Sequence, residues 1–250
     1  VTGAPLVKIC GIRGDADVIR TITALPVDFV GFVFAPSRRR VAPEEAVAAI
    51  RALYDAAEEF GRKNPPQAVG VFARMTWDEM ESVLRGVPLD VVQLHGGEPP
   101  ETYLRVREAF PAVRIIRAVS LPASGEAVDG GRRASDGEDG GVFSPDRPIN
   151  ELLAPYAGAI DILLLDTFDP VYGGGSGRTF DWSAVDVYRD AARRFGWPLF
   201  VAGGLTPDNV GELIERHAPD GVDVSGGVET DGRKDPAKIA AFVERVKRHG

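Results

Sequence analysis

Cys10, the single cysteine of the chain, closes the apolar run Leu6-Val7-Lys8-Ile9 and is followed at once by Gly11. Asp166 closes a second apolar run, Ile162-Leu163-Leu164-Leu165, and precedes Thr167. A thiol and a carboxyl placed where buried strands surface can serve as a base and an acid. Each also has a plain structural use: a free cysteine packs as a small apolar group, and an aspartate caps or braces a loop. The chemistry makes demands on the surroundings. A thiol with a pKa of ~8.5 is only a few per cent thiolate near neutrality, so a base at Cys10 needs nearby positive charge or backbone N–H groups. An aspartate with a pKa of ~3.9 is protonated about one time in a thousand at pH 7, so an acid at Asp166 needs partial desolvation.

Other groups cluster around the same predicted strand ends. Ala202-Gly203-Gly204-Leu205-Thr206 and Ser225-Gly226-Gly227 are glycine turns after the last two apolar runs. Glycines let backbone N–H groups approach an anion closely, so Gly203, Gly204, Ser225 and Gly226 are candidate phosphate contacts. Ser37-Arg38-Arg39-Arg40 is either a solvated basic run or the source of one guanidinium that forks onto a substrate carboxylate. Gln93 and His95 can line a pocket, though His95 also reads as a core histidine. Asp223, inside the last apolar run, can accept a substrate hydrogen bond or brace the interior. Tyr172-Gly173-Gly174-Gly175-Ser176-Gly177 is a lid over the site or simply a glycine-rich connection.

These groups need a scaffold that brings strand ends together. Short apolar runs at Leu6–Cys10, Phe29–Phe34, Ala68–Phe72, Val91–Leu94, Val113–Val119, Asp161–Leu165, Leu199–Ala202 and Gly221–Val224 read as parallel strands covered on both faces. Amphipathic stretches separate them, with helix starts marked by Thr76 and Glu79, Thr206-Pro207, Asp181 and Asp235-Pro236. Eight strand-then-helix units predict an α/β fold, a (β/α)8 TIM barrel forming a single domain over 1–250. A doubly wound open sheet is the alternative. Gly61–Pro66 reads as a short loop, and Ser120–Pro148 as a flexible insertion that starts on the active face.

With 250 residues, 44% of them hydrophobic, the chain can bury one large core. Its net charge of -8 argues against nucleic acid or an anionic membrane as partner, although local positive groups can still hold a small anion. One cysteine allows no internal disulfide. The N-terminus lacks a charged segment followed by a long apolar one, and no apolar run approaches the ~18 residues of a membrane span, so a cytoplasmic location is expected. The three histidines, His95, His217 and His249, show no metal-ligand spacing, and no metal site is expected.

Taken in order, these stretches resemble the phosphoribosylanthranilate isomerase family of tryptophan biosynthesis. The likeness is carried by Val7-Lys8-Ile9-Cys10-Gly11-Ile12, Gly31-Phe32-Val33-Phe34 with the run Ser37 to Val41, and Val69-Gly70-Val71-Phe72. It continues through Val92-Gln93-Leu94-His95-Gly96, Leu164-Leu165-Asp166-Thr167 and Gly175-Ser176-Gly177-Arg178-Thr179-Phe180-Asp181-Trp182. Ala202-Gly203-Gly204-Leu205 and Val222-Asp223-Val224-Ser225-Gly226-Gly227-Val228-Glu229 complete it.

The resemblance implies a barrel of the ribulose-phosphate-binding type. It also implies an Amadori rearrangement of a small phosphosugar without cofactor. Cys10 would be the general base, Asp166 the general acid and Arg39 the contact to the anthranilate moiety. It leaves the oligomeric state open, as it does the choice among Arg38, Arg39 and Arg40. Three features depart from the family pattern: the 120–148 insertion, an extra glycine in the Tyr172 loop, and Gly226 in place of a second serine. A second activity on a histidine-pathway substrate is not expected, since it normally relies on two aspartates. Two rival readings are a carbon–carbon lyase or indole-forming synthase, for which Lys8 is the only lysine within a predicted strand, and a non-catalytic phosphosugar-binding barrel.

Overall fold

The computed structural model describes residues 3–124, 148–168 and 179–249. Eight parallel strands hydrogen-bond in chain order: β1 Leu6–Cys10, β2 Phe29–Val33, β3 Gln67–Phe72, β4 Val91–Leu94, β5 Arg114–Leu121, β6 Ile162–Thr167, β7 Leu199–Val201 and β8 Gly221–Val224. The ring closes between β1 and β8, where Leu6 to Ile9 pair with Gly221 to Val224. That pairing decides for the barrel and against an open sheet.

Strand side chains alternate faces, and the alternation sorts this sequence into two cores. Phe29, Val69, Val91, Ile116, Ile162, Leu164 and Phe200 fill the barrel interior. Val7, Ile9, Val30, Phe32, Ile115, Leu163 and Leu165 pack outward against a helical shell that contributes Ile22, Ile50, Leu53, Tyr188 and Phe242. The shell is formed by α1 Ala16–Ala24, α2 Pro43–Glu59, α3 Trp77–Gly86, α4 Pro100–Ala109, α5 Ile149–Leu153, α6 Ser183–Arg194, α7 Val210–His217 and α8 Pro236–Arg248. None of the described helices is long and apolar enough to cross a membrane.

Local sequence explains most helix starts. Thr76 and Glu79 close a reciprocal capping box on α3, and Asp235 accepts from Ala237 and Lys238 at the start of α8. Asp181 accepts from the Ser183 N–H at 3.0 Å as α6 begins. Thr206-Pro207 does not open α7 directly. Asn209 Oδ1 accepts from the Thr206 N–H at 2.8 Å and holds a turn there, so the helix begins at Val210.

The fifth strand corrects the expected insertion boundary. β5 runs through Ser120 and Leu121, which pair with Asp166 and Thr167. Ala123 then bridges to Phe180, and the Ser124 N–H donates to Thr179 O at 2.8 Å. The expected insertion therefore starts beyond Ser124, and its residues 125–147 lie outside the described residues, as does the Tyr172–Gly177 loop. α5 is only five residues long and passes into a 3-10 turn at Ala154–Tyr156, where Pro155 has no N–H to extend an α-helix.

Candidate active site

The inward positions of β1 carry both Lys8 and Cys10, because they are two residues apart. Lys8 is fully buried, with Nζ 2.6 Å from Asp223 Oδ2 on the paired residue of β8. Asp223 thus braces the barrel with one oxygen. Its other oxygen, Oδ1, is buried without a hydrogen-bond partner and remains available as an acceptor. Cys10 sits one layer above and pairs in register with Gly31. A Cβ at position 31 would lie 2.8 Å from Cys10 Sγ, so the glycine makes the space the thiol occupies.

Burial pushes the Cys10 thiol above its ordinary value, and the Asp223 charge adds to that; Lys8 and Lys234 pull the other way. The positive charge expected around a basic thiol is therefore present, but burial outweighs it. Lys8 itself stays an ammonium: burial alone would lower its pKa, and Asp223 and Cys10 together raise it.

Asp166 ends the inward row Ile162, Leu164, Asp166 of β6 and is 6% exposed. Its Oδ1 accepts the Thr167 N–H at 2.7 Å, and Oδ2 lies 3.1 Å from His95 Nε2 without hydrogen-bond alignment. Gln93 and His95 are the corresponding inward pair of β4, with Gln93 Nε2 2.8 Å from His95 Nδ1. His95 thus lies beside Asp166. The Glu98 carboxylate accepts the Gly96 and Arg74 N–H groups, tying together the loops after β3 and β4.

The two glycine turns pack against their neighbours so closely that side chains are excluded. Gly203 has φ 81°, and a Cβ there would be 2.2 Å from Thr167 Oγ1; one at Gly227 would be 1.8 Å from Leu205 O. Gly226 and Gly227 open a 3-10 turn that ends at Val228. Ser225 Oγ donates to Cys10 O at 3.0 Å and couples this loop to β1.

The three arginines differ in burial, although Arg38 Nη2 also donates to Glu229 Oε2 at 3.2 Å. Arg38 and Arg40 are exposed, whereas Arg39 is 8% exposed and extends across Gly11. Glu229 holds Arg39 through Nε at 2.6 Å and Nη2 at 3.0 Å. Lys234 in turn reaches Glu229, Ser225 O and Ser225 Oγ. Sequence reasoning assigned no role to Glu229 or Lys234. The two-residue spacing of Lys8 and Cys10 was the one available signal for the Lys8 contact.

The chain matches the family described as N-(5'phosphoribosyl)anthranilate (PRA) isomerase over residues 7–139 and 142–245. It belongs to the PRA isomerase family. The PRA isomerase of Brevibacillus brevis is 36% identical over 242 residues, covering 97% of this chain and 93% of that protein. The crystal structure of the Thermotoga maritima PRA isomerase superposes with a TM-score of 0.71 at 33% identity, covering 98% of this chain and 99% of that one. Another PRA isomerase structure holds reduced 1-(o-carboxyphenylamino)-1-deoxyribulose 5-phosphate and matches with a TM-score of 0.68 at 31% identity, covering 98% of this chain and 99% of that one. The family match runs from β1 into α8.

Proposed function

We propose that this chain rearranges N-(5-phosphoribosyl)anthranilate to 1-(2-carboxyphenylamino)-1-deoxyribulose 5-phosphate, with Asp166 as general acid and Cys10 as general base. The observation that carries the assignment is the placement of both groups at inward strand ends of one closed barrel, flanked by the glycine turns after β7 and β8. Asp166 gives its proton to the furanose oxygen as the C1–O bond breaks, and the anthranilate nitrogen lone pair forms the Schiff base. The Cys10 thiolate then removes the proton from sugar C2, leaving an enolamine that tautomerises to the ketone. Proton transfer by positioned side chains suffices for each step. The phosphate lies against Gly203, Gly204, Ser225 and Gly226. Arg39 faces the anthranilate carboxylate, Gln93 and His95 line the acid side, and Asp223 offers Oδ1.

A lyase or synthase using Lys8 is disfavoured because its Nζ is tied to Asp223 beneath the thiol. We place the enzyme in the cytoplasm, acting on a small phosphosugar. Mixing the purified protein with freshly formed phosphoribosylanthranilate tests the reading through loss of substrate fluorescence. Rapid enzyme-dependent loss is expected; no loss above the spontaneous rate contradicts it.

The raised Cys10 thiol sets a pH dependence. The base works only as thiolate and the acid Asp166 only while it holds its proton, so kcat/KM should follow a bell-shaped profile that falls in both acid and strong alkali. Acidic solution protonates the thiolate and removes activity. A rate that stays level or keeps rising into strong alkali contradicts Asp166 as the proton donor.

A further inference from the structure

The residues just after β8 form a small device that the reaction steps above do not use. Glu229–Thr230 and Arg233–Lys234 pair as a two-stranded antiparallel hairpin, with Glu229 opposite Lys234. The turn residues Asp231 and Gly232 have φ 50° and 74°, the pair of positive angles of a type I′ hairpin turn. This hairpin aims Glu229 at Arg39. The carboxylate occupies the Nε and Nη2 edge of the guanidinium, and among the described residues Nη1 makes no hydrogen bond.

Glu229 is itself anchored. Lys234 Nζ reaches Glu229 Oε1 at 2.8 Å, Ser225 O at 2.9 Å and Ser225 Oγ at 3.2 Å, so its three protons have three acceptors. Burial alone would raise the Glu229 carboxyl, but the Arg39 hydrogen bond and the Lys234 charge bring it down to about 2. It is therefore a carboxylate throughout the working range. Gly11, at φ 82°, completes the seat: a Cβ there would lie 2.5 Å from Arg39 Cδ and 3.1 Å from Ser225 Oγ. Arg39 also passes Gly226 closely, with Nη2 3.3 Å from where a Cβ would stand.

We propose that Glu229, held by the 229–234 hairpin, is a specificity-determining positioning residue that turns the Nη1 end of Arg39 toward the carboxylate of the substrate. The proposal rests on the isomerase reading and on Arg39 as the carboxylate contact. A negative partner costs Arg39 part of its attraction for an anion. What it supplies is direction: a planar fork fixed along one edge can meet a ligand only along the other. The same anchor joins Arg39 to Ser225 of the phosphate turn, so the hairpin fixes the span between the two anionic ends of the substrate. A substrate lacking the carboxylate would gain nothing from it.

Two substrates test this, one generated from ribose 5-phosphate and anthranilate and the other from ribose 5-phosphate and aniline, which lacks the carboxylate. Wild-type turnover of the first tests the isomerase reading by itself. The inference is read from the ratio of kcat/KM values for the two compounds in wild type and in Glu229→Gln. Where the aniline compound binds without turnover, its inhibition constant takes the place of kcat/KM. The ratio should fall ~10-fold or more in the variant, approaching the ~10²-fold that a 1 Å misplacement can cost. A merely structural role lowers both values together and leaves the ratio in place. Lys234→Gln, which breaks the link between Glu229 and Ser225 and keeps the Glu229 charge, should lower the ratio in the same direction and stands in if Glu229→Gln fails to fold. A smaller fall, or a rise, in whichever variant folds overturns the proposal.

Discussion

Replacing Asp166 with asparagine is expected to lower turnover at least ~10²-fold, the usual scale for losing a positioned acid. The substitution is nearly isosteric. Its amide oxygen can still accept the Thr167 N–H that Asp166 Oδ1 holds at 2.7 Å, so the end of β6 should keep its shape. What disappears is the proton for the furanose oxygen. Cys10→Ala is expected to cost a similar factor for the complementary reason: it removes the only group on β1 able to take the C2 proton. The alanine should fit without rearrangement, because Gly31 opposite Cys10 leaves no side chain to collapse into the gap. Steady-state rates for both variants, with thermal melts to confirm folding, check the pair. A near-wild-type rate in either variant ends that residue's role.

The second large effect concerns stability. Lys8→Met is expected to destabilise the fold by ~3–5 kcal/mol, because it strands the buried Asp223 carboxylate without its cation. Asp223 has no other hydrogen-bonded cation among the described residues, and its Oδ1 is already unpartnered. For a chain of this size that amounts to ~6–20 °C in Tm, at roughly 2–4 °C per kcal/mol. Removing both charges in Lys8→Met/Asp223→Leu should recover much of the loss, since an apolar pair of similar volume often replaces a buried ion pair at little cost. Urea or thermal unfolding of these two variants, of Asp223→Leu and of wild type closes the double-mutant cycle. A Lys8→Met variant within ~0.5 kcal/mol of wild type would mean that the pair carries no uncompensated charge.

The barrel was legible because its strands are buried on both faces and read as near-continuous apolar runs. Leu6–Cys10, Val91–Leu94 and Gly221–Val224 have the same bounds in sequence and structure. β5 was misjudged at its end because Ser120 looks like the start of a loop. Only its pairing with Asp166 shows that the strand continues. The start of α7 was placed too early because Thr206-Pro207 carries a helix-start signature, while the Asn209 side chain that diverts it into a turn gives no periodic signal.

The candidate site shows the same division. Cys10, Asp166, Gln93, His95 and Asp223 were visible because strand ends in a barrel converge and alternation assigns them to one face. Burial then distinguished Arg39 from its two neighbours, a difference that three consecutive arginines cannot reveal in sequence. Glu229 and Lys234 were hidden for a simpler reason. Their hairpin strands are two residues each, too short for any pattern, and their partners lie on distant parts of the chain.

In the proposed reaction the Cys10 thiolate removes the proton from sugar C2. The most direct measurement uses substrate made from ribose 5-phosphate deuterated at C2, and follows the release of deuterium to solvent alongside product formation. Wild type should release the label as product appears, and Cys10→Ala should lose release and turnover together. Release by Cys10→Ala at the wild-type rate would show that another group is the base.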